Sequence, residues 1–252
     1  MNNLLNRFGS SFLLGIGTIL VCSSPTTALA QNTPADTLTF SNTQTWSPRY
    51  LDMAKAAIDI PDITLPAPPA NTSPETAQEL AIMHAYQDAR TDRSLEEITQ
   101  EISIYDALFG KQTFGQLVDE KTRPLTFALM IEVIELESPQ IMKQKKIYDR
   151  VRPSLLDPSL IPAIAIPLHP AYPSGHSTQA HLRAHVLSEL DPAHRDVYFQ
   201  SAKRIAHNRE VAGLHYPSDS RAGAQLAKQL FANLMKNRRF SQRLKKAKAE
   251  WP

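Results

Sequence analysis

Cysteine is almost absent from this 252-residue chain: Cys22 is the single one. No internal disulfide can form, so the fold must be held by packing, which a chain of this size can do. Glycine is scarce, at eight residues, and no alternating apolar–polar pattern recurs, which argues against a strand-rich fold. Neither sign of charge dominates, with 27 basic against 25 acidic residues and a formal net charge of +2. That balance speaks against a broad electrostatic grip on nucleic acid or a membrane surface. There is no GxxxxGK[ST] phosphate loop and no internal repeat. After residue 30 no apolar run is long and charge-free enough to cross a bilayer.

What is present begins with a leader. Arg7, the apolar stretch FLLGIGTILV and the small residues ALA at 28–30 have the layout of a secretory signal peptide over residues 1–30. Cleavage before Gln31 would remove Arg7 and Cys22, leaving 26 basic and 25 acidic residues and a net charge of +1. The expected location is the periplasm of a bacterial envelope, with no membrane span in the mature chain.

Residues 31–75 read as an extended arm with a polar, mobile start. Five prolines fall in PDITLPAPPANTSP (61–74), which forbids helix there. Helical patterning follows over 76–240, and 241–252 reads as a basic tail on a solvated last helix. Ser73 and Pro74 form a helix start. Leu95, Ile98, Ile102 and Tyr105 share one helical face, with Gly110 as the stop. The apolar stretch 123–137 predicts a central buried helix, and further helices are predicted from about 139 to 149, 176 to 190, 193 to 212 and 218 to 237. The expected fold is an all-α, single-domain helical bundle.

Three clusters carry chemistry: Lys145-x6-Arg152-Pro153, Pro173-Ser174-Gly175-His176, and Arg209-x5-His215-x3-Asp219. Lys145, Arg152 and Arg209 are cations, two of them guanidinium forks suited to tetrahedral oxyanions. Ser174 and Gly175 precede a helix start, whose free N–H groups attract phosphate. Asp219 can reach back to His215, fixing one tautomer and making the imidazole a better nucleophile. His176 can protonate a departing oxygen as general acid. Together these residues suit phosphoryl transfer through a phosphohistidine, with cations rather than metal ions stabilising the equatorial oxygens.

The three clusters, in this order over residues 120–237, resemble the signature of the phosphatidic acid phosphatase type 2 superfamily. That superfamily includes bacterial class A non-specific acid phosphatases and vanadium-dependent haloperoxidases, and the chain is most similar to the acid phosphatases. The resemblance implies an all-helical fold with His215 as nucleophile, His176 as acid and Asp219 orienting. It assigns phosphate binding to Lys145, Arg152, Ser174, Gly175 and Arg209, with no metal or other cofactor. Departures are Asn208, where the pattern has Ser, and Pro170, Ala171 and Ser177 around the Tyr-Pro-Ser-Gly-His core. None removes a charged group.

The expectation is an exported, metal-independent acid phosphatase. Its partners would be small-molecule phosphate monoesters, with inhibition by vanadate-like oxyanions, no nucleic acid, and a possible homo-oligomer. The alternatives are a vanadate-dependent haloperoxidase and a non-catalytic phosphate-binding protein. His84, His169, His194 and His207 read as packing or surface histidines. His181 and His185 have a zinc-compatible spacing but no completing ligand. Tyr172 either packs or lines the pocket.

Overall fold

The computed structural model describes residues 34–56, 61, 63–103 and 118–251. The expected leader over 1–30 lies outside them, as do Tyr105 and Gly110. Described secondary structure is entirely helical: α1 (Phe40–Thr43), α2 (Pro48–Lys55), α3 (Pro74–Asp88), α4 (Asp92–Gln100), α5 (Pro124–Tyr148), α6 (Pro153–Leu156), α7 (Gly175–Leu190), α8 (Arg195–Val211), α9 (Pro217–Lys236) and α10 (Arg238–Ala247), with short 3-10 turns between. None is long and apolar enough to cross a membrane.

α7 is the hub. It packs between α8 and α9 and also touches α5 and α10. Ala180, Leu182, Ala184, Val186, Leu187 and Leu190 are buried, so apolar contact surrounds this helix instead of forming one stripe. Gly223 of α9 makes the closest approach possible. A Cβ there would sit 2.7 Å from the Ser174 carbonyl and 2.8 Å from Ser177 Cβ. Only glycine lets α9 lie so near the start of α7.

α5 corrects the expectation of two helices divided near Pro139, because it runs unbroken through that proline. A proline removes one helical N–H bond. Burial of Val133, Ile134, Ile141 and Met142 on either side holds the helix together. Glu137, one of its acidic residues, is buried and grips Arg183 of α7 at 2.7 and 2.8 Å. α5 ends at Asp149, whose φ of 43° is left-handed, a region that Asp tolerates better than most side chains.

The arm is a strap. Gln144 donates to the Ile63 carbonyl at 2.6 Å, Tyr148 donates to that of Leu65, and Tyr172 donates to that of Pro66 at 2.6 Å. Ile63 and Leu65 are buried. Tyr172 is buried too, with its ring edge-on to Tyr148. The extended, mobile reading of 31–75 is corrected over Phe40–Lys55, where α1 and α2 form and dock. Thr39 caps α1 through a capping box, and Phe40 and Trp46 are buried.

The other end is corrected as well. α10 crosses the expected boundary at residue 240, and Phe240, Leu244, Ala247 and Trp251 bury an apolar face. Glu250 accepts from the Leu125 and Thr126 amides at 2.7 and 2.8 Å, at the start of α5. α4 ends at Gln100, and Ile102, expected on its buried face, is 53% exposed beyond it.

Candidate active site

Each cluster is placed by a chain reversal. Lys145 lies in the last turn of α5, and Arg152 precedes Pro153 at the start of α6. Ser174 caps α7, accepting from the Ser177 amide, which leaves the Gly175 and His176 N–H groups as orphan donors of the first turn. α8 stops at Gly213, whose φ of 77° turns the chain so that Arg209 in the last turn is followed closely by His215. Asp219 sits in the first turn of α9 and accepts from the Tyr216 amide at 3.0 Å. Ser174 N donates to the Asp219 carbonyl at 2.9 Å, which joins the second cluster to the third.

All three clusters meet in the interior. Lys145, Arg152, Ser174 and Asp219 are fully buried, Arg209 and His215 nearly so, and Gly175 and His176 are partly exposed. On one side stand His215, Asp219 and Arg152. Asp219 Oδ2 lies 3.3 Å from His215 Nδ1, and Arg152 Nη1 lies 3.1 Å from His215 Nε2. Arginine can only donate, so Nε2 is the acceptor and the proton rests on Nδ1, facing the carboxylate. Burial and the charge of Arg152 hold the His215 imidazole well below the usual histidine range, so it stays neutral. Burial alone would raise the Asp219 carboxyl. The Arg150 charge and the His215 hydrogen bond outweigh that and bring it down to about 2.

On the other side stand His176 and Arg209. His176 Nε2 donates to the Glu101 carbonyl at 3.0 Å. Burial, followed by the charge of Arg209, lowers its pKa to about 3. Arg209 donates to the Ile98 carbonyl at 3.0 Å and stands 3.5 Å from Glu101. Its Nε is buried with no partner among the described residues. Lys145 links the two sides, since its charge acts on both His215 and His176. Its ammonium donates to the carbonyls of Pro170, Ala171 and Pro173 at 2.8, 3.0 and 2.6 Å. Burial and Arg152 press its pKa well below the lysine range.

Three residues of this site escaped the sequence reading. Arg150 donates to Asp219 Oδ1 at 2.6 Å and to Ser218 Oγ at 2.7 Å, and its guanidinium lies over the Tyr216 ring at 3.8 Å. Glu79 of α3 accepts from Arg150 at 3.3 Å and from Ser218 at 2.5 and 2.7 Å. His169, read as packing, is corrected: its carbonyl and ring supply three of the contacts to Arg152. The only sequence signal was position, since Arg150 stands two residues before Arg152 and His169 lies just ahead of the Pro-Ser-Gly-His cluster.

Asn208, the departure beside Arg209, donates to Glu101 at 2.9 Å. His185 packs against Phe199 and Phe231. No group of three or more metal-ligating side chains is found among the described residues. A cavity of about 460 Å³ lies outside these three clusters, against Ser41, Trp46, Leu51 and Lys146.

Comparisons with known proteins agree with this architecture. No family model matches the chain. A non-specific acid phosphatase of Providencia stuartii is 27% identical over 177 residues, which is 66% of this chain and 71% of the relative. The crystal structure of the first bacterial vanadium-dependent iodoperoxidase shares the fold, with a TM-score of 0.61 at 15% identity over 83% of this chain. The chain spans 64% of that protein's length. The chain is thus similar in sequence to an acid phosphatase and in fold to a vanadium-dependent iodoperoxidase, the two kinds of protein that its ordered clusters resemble.

Proposed function

We propose that the protein is an exported acid phosphatase, hydrolysing small phosphate monoesters through a phosphohistidine on His215 without a metal ion. One observation carries the reading. His215 is neutral, its Nδ1–H faces Asp219, and its Nε2 lone pair points at a phosphate-type donor, Arg152. That is the tautomer an imidazole nucleophile requires. The acid phosphatase of Providencia stuartii supports the reaction class, and residues 1–30 support export.

The chemistry follows from the groups present. An incoming phosphate draws Arg152 Nη1 away from Nε2, which uncovers the lone pair. Arg209 Nε, which has no partner among the described residues, and the Gly175 and His176 amides receive the equatorial oxygens. Nε2 attacks phosphorus, the ester P–O bond breaks, and the leaving oxygen takes a proton from His176. Water then attacks the phosphohistidine, giving its proton to His176. The P–N bond breaks, and His215 recovers its lone pair as phosphate leaves.

His176 must be charged for the first step, yet the anion-free site holds it near about 3. A phosphate dianion beside Arg209 and Lys145 works against the burial and the charges that depress it, so His176 takes up its proton together with substrate. Its titration therefore falls at higher pH in kcat than in kcat/KM.

Hydrolysis of p-nitrophenyl phosphate from about pH 4 to about pH 9, with chelator and with or without vanadate, tests the reading. Chelator-resistant, vanadate-sensitive turnover on the acid side is expected. Turnover that needs a metal, or none at all, would refute it.

A further inference from the structure

The N-terminal arm grips the chain on both sides of one catalytic arginine. Ahead of Arg152, the Phe40 amide donates to the Asp149 carbonyl at 2.9 Å, and Ser41 binds the Asp149 carboxylate through its amide and hydroxyl at 3.3 and 2.9 Å. Beside His169, the Ser47 amide donates to the Leu168 carbonyl at 3.0 Å. Three residues past Ser47, Tyr50 of α2 sets its ring edge-on to the His169 imidazole, with centroids 4.7 Å apart at 88°.

His169 holds Arg152 more than any other residue does. Its carbonyl accepts from Nε and Nη2 at 3.0 and 2.8 Å, and its Nδ1 lies 3.0 Å from Nη2. Nδ1 also lies 3.2 Å from the Pro170 carbonyl, so an unprotonated Nδ1 accepts from Nη2 and a protonated one donates to Pro170, and either bond requires this one rotation of the ring. Burial and the charges of Lys145 and Arg152 keep that ring neutral. The Tyr50 contact packs against the imidazole and holds that rotation together with the polar contacts of Nδ1.

We infer that the arm is a working part of the site: Tyr50 is a positioning residue that, through His169, aims Arg152 at the phosphate. The inference rests on the phosphatase reading, in which Arg152 must leave His215 and meet the substrate oxygens. A guanidinium anchored on its Nε–Nη2 edge can turn only Nη1 toward the anion, so errors in that edge become errors in phosphate affinity.

The test compares Tyr50→Ala, Tyr50→Phe and His169→Phe with the parent. Inorganic phosphate is titrated by calorimetry, p-nitrophenyl phosphate turnover is measured, and thermal melting controls for folding. Tyr50→Ala is expected to raise the phosphate Kd and the KM roughly tenfold, on the scale of one charge-assisted hydrogen bond, with kcat changing much less. Tyr50→Phe, which keeps the ring, should restore parental values. His169→Phe keeps an aromatic partner for Tyr50 but loses Nδ1, and should weaken phosphate binding again. Should Tyr50→Ala fail to fold, His169→Phe decides the point. Parental Kd and KM in Tyr50→Ala or in His169→Phe, or a Tyr50→Phe variant as impaired as Tyr50→Ala, would overturn the inference while leaving the phosphatase reading in place. A parent that neither binds phosphate nor hydrolyses the ester removes both.

Discussion

Replacing Arg150 with methionine removes the cation that two buried carboxylates share. Arg150 touches Asp219 at 2.6 Å and Glu79 at 3.3 Å, and the three side chains are 2%, 0% and 4% exposed. Asp219 would keep the Tyr216 amide and His215. Glu79 would keep Ser218 and the solvent-facing Arg221 at 3.4 Å. Neither carboxylate would retain a buried arginine. Breaking a buried pair from one side typically costs about 3–5 kcal/mol. The Asp219 carboxyl, drawn from 3.8 to about 2 chiefly by Arg150 against burial, accounts for about 2–3 kcal/mol of that at ~1.4 kcal/mol per unit.

The pH dependence has a definite sign. In the parent, the folded pKa of Asp219 lies below its unfolded value, so its contribution is complete above about pH 4 and is lost as pH falls toward about 2. In Arg150→Met, only the His215 and Tyr216 hydrogen bonds oppose burial, so the carboxyl titrates higher than in the parent. The variant is then penalised at neutral pH, and the penalty fades as acid protonates the buried group. Urea unfolding followed by the fluorescence of Trp46 and Trp251 measures this directly. The stability gap between parent and variant should be widest near about pH 7 and narrower near about pH 4. Turnover should fall as well, because Asp219 would no longer hold the His215 tautomer in place. A gap below about 1 kcal/mol, or one that does not change with pH, would refute the reasoning.

Gly223→Ala drives a Cβ to 2.7 Å from the Ser174 carbonyl, and should cost about 1–3 kcal/mol in stability and weaken phosphate binding by shifting the start of α7. Thermal melting and a phosphate titration that both match the parent would contradict the α7–α9 contact. Glu101→Gln removes the carboxylate 3.5 Å from Arg209, and should strengthen phosphate binding about threefold to tenfold by freeing that guanidinium. Unchanged or weaker binding in the same titration would mean that Arg209 does not face the anion.

The parts of this site legible in the sequence are those whose partners lie close by along the chain. His215 and Asp219 are four residues apart, and Ser174, Gly175 and His176 are consecutive, so motif order and a helix start suffice to assemble them. Arg150 and Glu79 are separated by 71 residues, and only the packing of α3 against the start of α9 joins them. His169 looked like an ordinary packing histidine because its partner, Arg152, comes from a turn 17 residues earlier. The helices from α7 to α9 start and stop within two residues of the expected bounds. α5 did not, since burial on both sides of Pro139 overrode a local stop signal. Nor did composition reveal that the Pro-rich arm and the basic C-terminal helix bury apolar side chains, Leu65 in the one and Phe240 and Leu244 in the other.

The central claim is that His215 carries the phosphoryl group. Rapid alkaline quench of the protein with a labelled phosphate monoester, followed by peptide mass spectrometry, tests it. The account predicts base-stable, acid-labile label on His215, retained longer when His176 is replaced and absent from His215→Ala. Turnover with no labelled histidine, or label on another residue, would contradict it.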